Sequence, residues 1–192
     1  MGLLRQFRLL LQLSHAQNIG RRYLVANGFD GSMAMLGIIV GFYTTGVAEL
    51  QVIIHACMGA AIALLVSGLS SAYVSETAER ERELQEMEQA LLTDLSASHH
   101  ATAARLASVY IALINGLSPF IAALLIISPL WLALQGLTLP LDPLLASIAI
   151  SFIILAALGA FLGIISGRFW LWSALRTLLI ALITSLLILL AS

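Results

Sequence analysis

Charged side chains divide this sequence into long neutral stretches, and this feature most limits what the chain can fold into. A helix needs about 20 apolar residues to cross the hydrocarbon layer of a bilayer. With 60% hydrophobic and 10% charged residues, the chain has too little polar surface for a water-soluble globule. The pattern predicts an all-α, polytopic membrane protein with five transmembrane helices. The five neutral stretches are 31–48, 50–75, 106–141, 143–167 and 177–192.

The boundaries of the predicted segments follow from the charges between these stretches. Four arginines in the first segment oppose its insertion across the bilayer, so we expect it to be amphipathic and to lie at the membrane surface. Gly136, Pro140 and Pro143 mark a loop inside the third part of the chain. The predicted segments are a cytoplasmic interfacial helix at 1–29, transmembrane helices 1 and 2 within 30–73, a cytoplasmic glutamate-rich, metal-binding helical extension at 74–103, and transmembrane helices 3 to 5 within 104–192.

The arginines predict the orientation of the chain. All nine cationic side chains are arginines, and short loops rich in positive charge stay on the cytoplasmic side. Threading five spans through a bilayer places every arginine on one side. We therefore expect an integral protein of the cytoplasmic membrane, with its N-terminus cytoplasmic and its C-terminus external or lumenal. The net charge of -1 gives no reason to expect nucleic-acid binding.

The richest concentration of charge directly follows the second predicted span. Glu76, Glu79, Glu83 and Glu86, called here the acidic stripe, fall within an arc of about 80° on a helix. A purely structural interpretation is a solvated helix with local ion pairs, because Glu76 and Arg80, like Arg82 and Glu86, are four residues apart. However, six glutamates face only two arginines over 76–88. That excess of acid is not needed to stabilise a helix.

Stacked carboxylates repel one another unless they share a cation, so the acidic stripe predicts a metal site. Oxygen ligands suit Fe²⁺ and Mn²⁺, with Ca²⁺ and Mg²⁺ also compatible. On a helix continuing to about residue 100, Asp94 lies on the same stripe. Nearby side chains that could add ligands are Glu81, Glu88, Asp94, His99 and His100.

Ionisable and sulfur-bearing side chains within the spans are the other candidate ligands. Asp30 lies at the inner edge of span one or inside it, where an acid is costly and indicates an ion or proton site. Its alternative role is a helix N-cap. His55 lies in span two as a transport residue or a hydrogen-bonded packing residue. Met33 and Met58 offer thioethers, although methionine in apolar helices usually fills space.

Three pieces of the sequence, in order and spacing, resemble the vacuolar iron transporter family over residues 24–192. They are Asp30-Gly31 followed by Gly37 and Gly41, residues 72–76 leading into the glutamate run, and residues 173–179 opening the last span. The resemblance implies a homodimer that moves Fe²⁺ or Mn²⁺ out of the cytosol in exchange for protons. It implies that Asp30 is the intramembrane metal and proton site and that the acidic stripe captures ions at the cytoplasmic entrance. Gly68 and Ala72 stand where better-known members have a methionine and a glutamate.

The sequence therefore favours a metal/proton antiporter in which the metal is substrate and no organic cofactor is needed. The alternative is a non-transporting membrane adaptor whose charged helix docks a cytosolic partner through Leu84, Met87 and Leu91. We do not expect an enzyme, because no span pairs a serine or cysteine with a suitably placed histidine or with two acids.

Overall fold

The computed structural model describes residues 16–46, 49–95, 98–138 and 140–191. Within these residues the secondary structure is entirely α-helical. All five helices are long and apolar enough to cross a membrane, which confirms the predicted number of candidate spans. The helices are α1 (Ala16–Thr45), α2 (Leu50–Leu91), α3 (His99–Leu134), α4 (Pro143–Ile165) and α5 (Trp170–Ala191).

Helix α1 joins two segments that the sequence was expected to separate at residue 29. Its 30 residues correspond to about 45 Å, which exceeds the roughly 30 Å hydrocarbon thickness of a bilayer. The predicted first span, which begins at residue 30, therefore shares one helix with the end of the predicted interfacial segment. Residues 1–15 of that segment lie outside the described residues.

Helix α2 carries both the predicted second span and the acidic stripe. The prediction that the acidic run directly continues this span is confirmed, because 42 residues from Leu50 to Leu91 form one helix. The helix ends before residue 100, since Leu92 has a left-handed φ of 51° and such a residue stops helical hydrogen bonding. The predicted extension at 74–103 is thus not one helical segment.

Turns and caps that the sequence encodes locally delimit the last two helices. Asp142 is the N-cap of α4, and its carboxylate accepts hydrogen bonds from the backbone N–H groups of Leu144 and Leu145 at 2.9 and 3.3 Å. Pro143 occupies the first turn, where its missing N–H is no loss. After α4, Gly167 has a φ of 65° and turns the chain into α5.

The chain divides into two compact units. Among the described residues, the first comprises 16–24 together with those of 65–117, and the second comprises those of 25–64 together with those of 118–191. The first unit thus contains the acidic stripe, and the second contains Asp30.

In the second unit, two apolar clusters hold parts of all five helices together. Gly159 and Gly163 of α4 pack directly on α5: a Cβ at Gly163 would lie 2.9 Å from the Ser173 side chain. The hydroxyl of Thr177 donates to the Leu155 carbonyl at 3.0 Å. The fully or nearly buried members of the clusters are Met35, Leu36, Ile39, Val40, Ile53, Ile54, Cys57, Ala61, Ala123, Ile126, Ile127, Leu130, Leu155 and Ala181.

In the first unit, α2 and α3 cross closely at two glycines. A Cβ at Gly68 would lie 2.9 Å from the Cα of Gly116, so neither position has room for a side chain. The side-chain amide of Asn115 donates to the Gly68 carbonyl at 2.8 Å. This contact holds α2 against α3, and the apolar cluster of Ala107 and Ile111 packs the start of α1 on α3.

Candidate functional site

The structure separates the four carboxylates of the acidic stripe by their exposure. The side chain of Glu76 is 13% exposed, whereas those of Glu83 and Glu86 are 50% and 62% exposed. Glu79 is also exposed. The stripe therefore presents three carboxylates to the surroundings and holds the fourth largely inside the first unit.

Arg80 lies between two of these carboxylates. Its Nη1 donates to Glu83 Oε2 at 3.0 Å, and its Nη2 is 3.9 Å from Glu76 Oε2. Arg80 is 9% exposed, and its Nε is buried with no hydrogen-bond partner among the residues that the structure describes. Arg80 thus neutralises part of the acidic stripe from within the first unit. The sequence predicted only one local pair for Arg80, with Glu76.

Tyr23 of α1 holds Glu76 from the other side. Its hydroxyl donates to Glu76 Oε1 at 3.4 Å. Burial raises the pKa of Tyr23, and the charge of Glu76 and this hydrogen bond raise it further. The phenol therefore stays protonated at neutral pH and remains a donor. No local signal predicts this contact, because the two residues are 53 positions apart.

The second arginine of the stripe forms an exposed pair. Arg82 Nε donates to Glu86 Oε1 at 3.0 Å, and the two side chains are 70% and 62% exposed. The hydrogen bond that Arg82 donates to Glu86, the charge of Glu86 and then the charge of Glu79 raise the pKa of Arg82. This pair is the local salt bridge that the sequence predicts, and it leaves its carboxylate accessible.

The additional candidate ligands around the stripe lie in different places. Glu88 accepts the Leu95 N–H at 2.9 Å, so its carboxylate ties the loop after α2. Glu81 and His100 are exposed and line small cavities between α2 and α3. His99 begins α3, and its side chain lies outside the described residues.

The placement of Asp94 on the acidic stripe is wrong. It assumed that the helix continues to about residue 100, whereas α2 ends at Leu91. The left-handed Leu92 redirects the chain, and the Thr93 N–H bonds the Glu88 carbonyl at 3.3 Å. Asp94 is exposed in the following loop and no longer shares the stripe's helical face.

Asp30, in the second unit, is exposed and lies in the middle of α1. The N-cap alternative is therefore wrong, because helix precedes this residue for more than three turns. The glycines beside Asp30 explain why it is exposed. A Cβ at Gly28 would lie 2.7 Å from Ser118 Oγ, and one at Gly31 would lie 2.5 Å from Pro119 Cβ. These contacts press one face of α1 against α3, and Asp30 is left on another face.

The remaining candidates of the second unit differ in exposure. His55 is exposed, and its Nδ1 donates to the Gln51 carbonyl at 2.7 Å. Met33 and Met58 are partly buried against the two apolar clusters, as expected of space-filling methionines.

In the part of the chain that the structure describes, no group of three or more histidine, cysteine, aspartate or glutamate side chains is arranged to hold a metal ion. The stripe and Asp30 therefore offer separate carboxylates within one chain and no closed coordination shell.

Within the described residues, the chain is all-helical, with five helices apolar enough to cross a bilayer and an acidic extension of the second. The chain is 34% identical to the uncharacterized protein MJ0645 of Methanocaldococcus jannaschii over 150 residues, which are 77% of this chain and 75% of that protein. It belongs to the same family as that archaeal protein. No protein-family model matches the chain, and no solved structure matches it.

Proposed function

We propose that this protein moves Fe²⁺ or Mn²⁺ out of the cytosol in exchange for protons, as a homodimer resembling the vacuolar iron transporters. The acidic stripe gathers the ion at the cytoplasmic end of α2, and Asp30 accepts it within the first span. A carboxylate that binds either a cation or a proton couples the two movements, because it does not hold both at once.

The observation that carries this proposal is the exposed carboxylate of Asp30 in an apolar helix. Asp30 precedes Thr45, the last residue of α1, by 15 residues, or about 22 Å of helix. With Thr45 at the outer boundary of an approximately 30 Å hydrocarbon layer, Asp30 falls inside that layer. Ionisable side chains at such depth face a water-filled path or another protein surface rather than lipid.

The accessible carboxylates of the acidic stripe support the capture step. Glu79, Glu83 and Glu86 are exposed on one helix that continues from the second span. Arg80 holds Glu83 and Glu76, so an arriving ion competes with an internal cation for these oxygens. A divalent ion competes better than a monovalent one, because its attraction to each carboxylate is twice as large.

A second copy of the chain completes the proposed site. One chain provides no group of three ligands among its described residues, while Fe²⁺ and Mn²⁺ take more ligands than two. Twofold symmetry doubles each exposed carboxylate, since the same patch is used on both subunits. At such an interface the second subunit also shields Asp30 from lipid.

Ion flux in proteoliposomes under an imposed pH gradient tests this function. Asp30→Asn removes the charge with little change in shape and is expected to reduce Fe²⁺ and Mn²⁺ flux at least tenfold. Asp142→Asn is the matched control, because asparagine caps a helix about as well as aspartate and this residue caps α4. Unchanged flux in Asp30→Asn would remove Asp30 from the pathway, and absence of flux in the unaltered protein would reject transport.

The adaptor remains a second candidate, favoured by apolar side chains beside the acidic stripe. Of the predicted docking residues, Met87 and Leu91 are 37% and 62% exposed, whereas Leu84 is half-buried. Glu83, Glu86 and Met87 line an open groove. A protein partner could cover this surface. Titration of the full-length protein with Fe²⁺ and Mn²⁺ separates the candidates, since an adaptor shows no saturable binding that depends on the stripe.

A further inference from the structure

A cavity of about 120 Å³ lies between α2 and α3 in the first unit. Its polar lining comprises Thr77, Arg80 and Glu81 of α2 with Arg105 and Ser108 of α3, and the rest of its wall is leucine and alanine. Two cations, one carboxylate and two hydroxyls therefore border a space large enough for several non-hydrogen atoms.

Arg80, which lines this cavity, does not use all of its hydrogen-bond donors. Its terminal nitrogens engage Glu83 and Glu76, but its buried Nε has no partner among the described residues. Arg80 as a whole is 9% exposed. Buried polar groups in native proteins are almost always hydrogen-bonded, so a guanidinium with donors to spare in the wall of the cavity favours a ligand that carries acceptor oxygens.

The other charges of the cavity narrow the chemistry of the ligand. Arg105 adds a second guanidinium, which suits a phosphate oxygen. Glu81 lines the same space and would repel a simple anion. The Ser108 hydroxyl donates to the Ala104 carbonyl at 3.2 Å and keeps its lone pairs for a donor. A ligand carrying both a phosphate and an ammonium group matches both signs of charge.

The depth of the cavity indicates where such a ligand comes from. Thr77 and Glu81 follow the predicted inner end of span two, at residue 73, by about 6 and 12 Å of helix. The headgroup layer extends roughly 5 to 8 Å beyond the hydrocarbon on each side. The cavity therefore begins at the level of lipid headgroups.

We propose that this cavity binds the headgroup of an aminophospholipid. The phosphodiester lies between Arg80 and Arg105, and the primary amine faces Glu81 and Ser108. This inference does not rest on the proposed function, although Arg80 also pairs with Glu76 and Glu83 of the acidic stripe.

Lipid retention tests the proposal with the full-length protein. The protein is equilibrated with equal amounts of phosphatidylethanolamine, phosphatidylglycerol and phosphatidylcholine, and bound lipid is counted by native mass spectrometry. Phosphatidylethanolamine is expected to be retained at least tenfold over the other two. Arg105→Gln should reduce its retention at least fivefold, and Glu81→Gln should abolish the preference over phosphatidylglycerol. Both side chains are exposed, so these variants are expected to fold.

Arg21→Gln is the matched control, because Arg21 is exposed on α1 of the same unit and the change removes the same charge. It should retain the lipid as the unaltered protein does. Equal retention of the three lipids, or equal losses in Arg105→Gln and Arg21→Gln, would overturn the proposal. Soluble phosphoethanolamine is a separate arm: if it raises the melting temperature as much as the lipid does at equal concentration, the lipid assignment fails.

Discussion

Arg80→Gln tests directly whether Arg80 is buried between two carboxylates of the acidic stripe. The sequence surrounds Arg80 and Arg82 with similar acids, and burial distinguishes the two arginines. The substitution removes a 3.0 Å charged hydrogen bond to Glu83 and a 3.9 Å ion pair to Glu76, whose side chain is 13% exposed. Removing one partner of a buried pair costs about 3 to 5 kcal/mol. Since Glu83 is half exposed, we expect a smaller loss, about 2 to 4 kcal/mol.

For a chain of this size, that loss corresponds to a fall in melting temperature of about 4 to 16 °C. Thermal unfolding of the purified protein in detergent, followed by intrinsic tryptophan fluorescence, measures it. Arg82→Gln is the control, because its pair with Glu86 is largely exposed and exposed pairs add little. If both variants melt at the same temperature, Arg80 is not buried between the two carboxylates as described.

The same variant tests the competition between Arg80 and a captured ion, a step that rests on the proposed function. A divalent ion about 6 Å from a guanidinium in water is repelled by about 1.4 kcal/mol, or tenfold in affinity. Arg80→Gln should therefore bind Mn²⁺ about tenfold more tightly despite its lower stability. Isothermal titration calorimetry measures this, and weaker or unchanged binding would show that the ion does not use the carboxylates that Arg80 holds.

Three further outcomes are expected. Gly31→Ala should lower the melting temperature by about 2 to 12 °C, because its new Cβ meets the Pro119 backbone at 2.7 Å and overpacking costs about 1 to 3 kcal/mol. In the control Gly41→Ala, the new Cβ enters open space, so the melting temperature should stay the same or rise. Thr177→Val removes a hydrogen bond between α4 and α5 and should lower it by about 1 to 2 °C, measured in the same assay. Glu79→Gln should weaken Mn²⁺ binding about tenfold or more, and calorimetry showing equal affinity would remove Glu79 from the capture site.

Much of the helical architecture was predictable from local sequence. The number of candidate spans follows from the neutral stretches, and the continuity of α2 agrees with the absence of proline from residues 50–91. The cap at Asp142 and the turn at Gly167 also have local signals. The end of α2 at Leu91 has none of these signals, since neither glycine nor proline occurs there, and its prediction failed by several residues.

The candidate site shows the limit of such reasoning more clearly. Angular spacing identified the acidic stripe, but it assigned equal status to carboxylates that differ in exposure from 13% to 62%. The resemblance included Gly37 and Gly41, but α1 packs tightly on α3 at Gly31, where a Cβ would meet Pro119. Spacing along one helix does not specify which residues of another helix will face it.

The sequence by itself determined the five apolar helices of the described residues and the acidic extension of the second, because each segment's solvation and backbone hydrogen bonding depend mainly on its own residues. Only the tertiary structure decided that Arg80 is buried while Arg82 is exposed, that Tyr23 reaches Glu76, and that Asp30 is left on an open face of α1. These outcomes depend on which side chains from distant segments pack together. Burial then sets the strength of each charge interaction, since water no longer screens it.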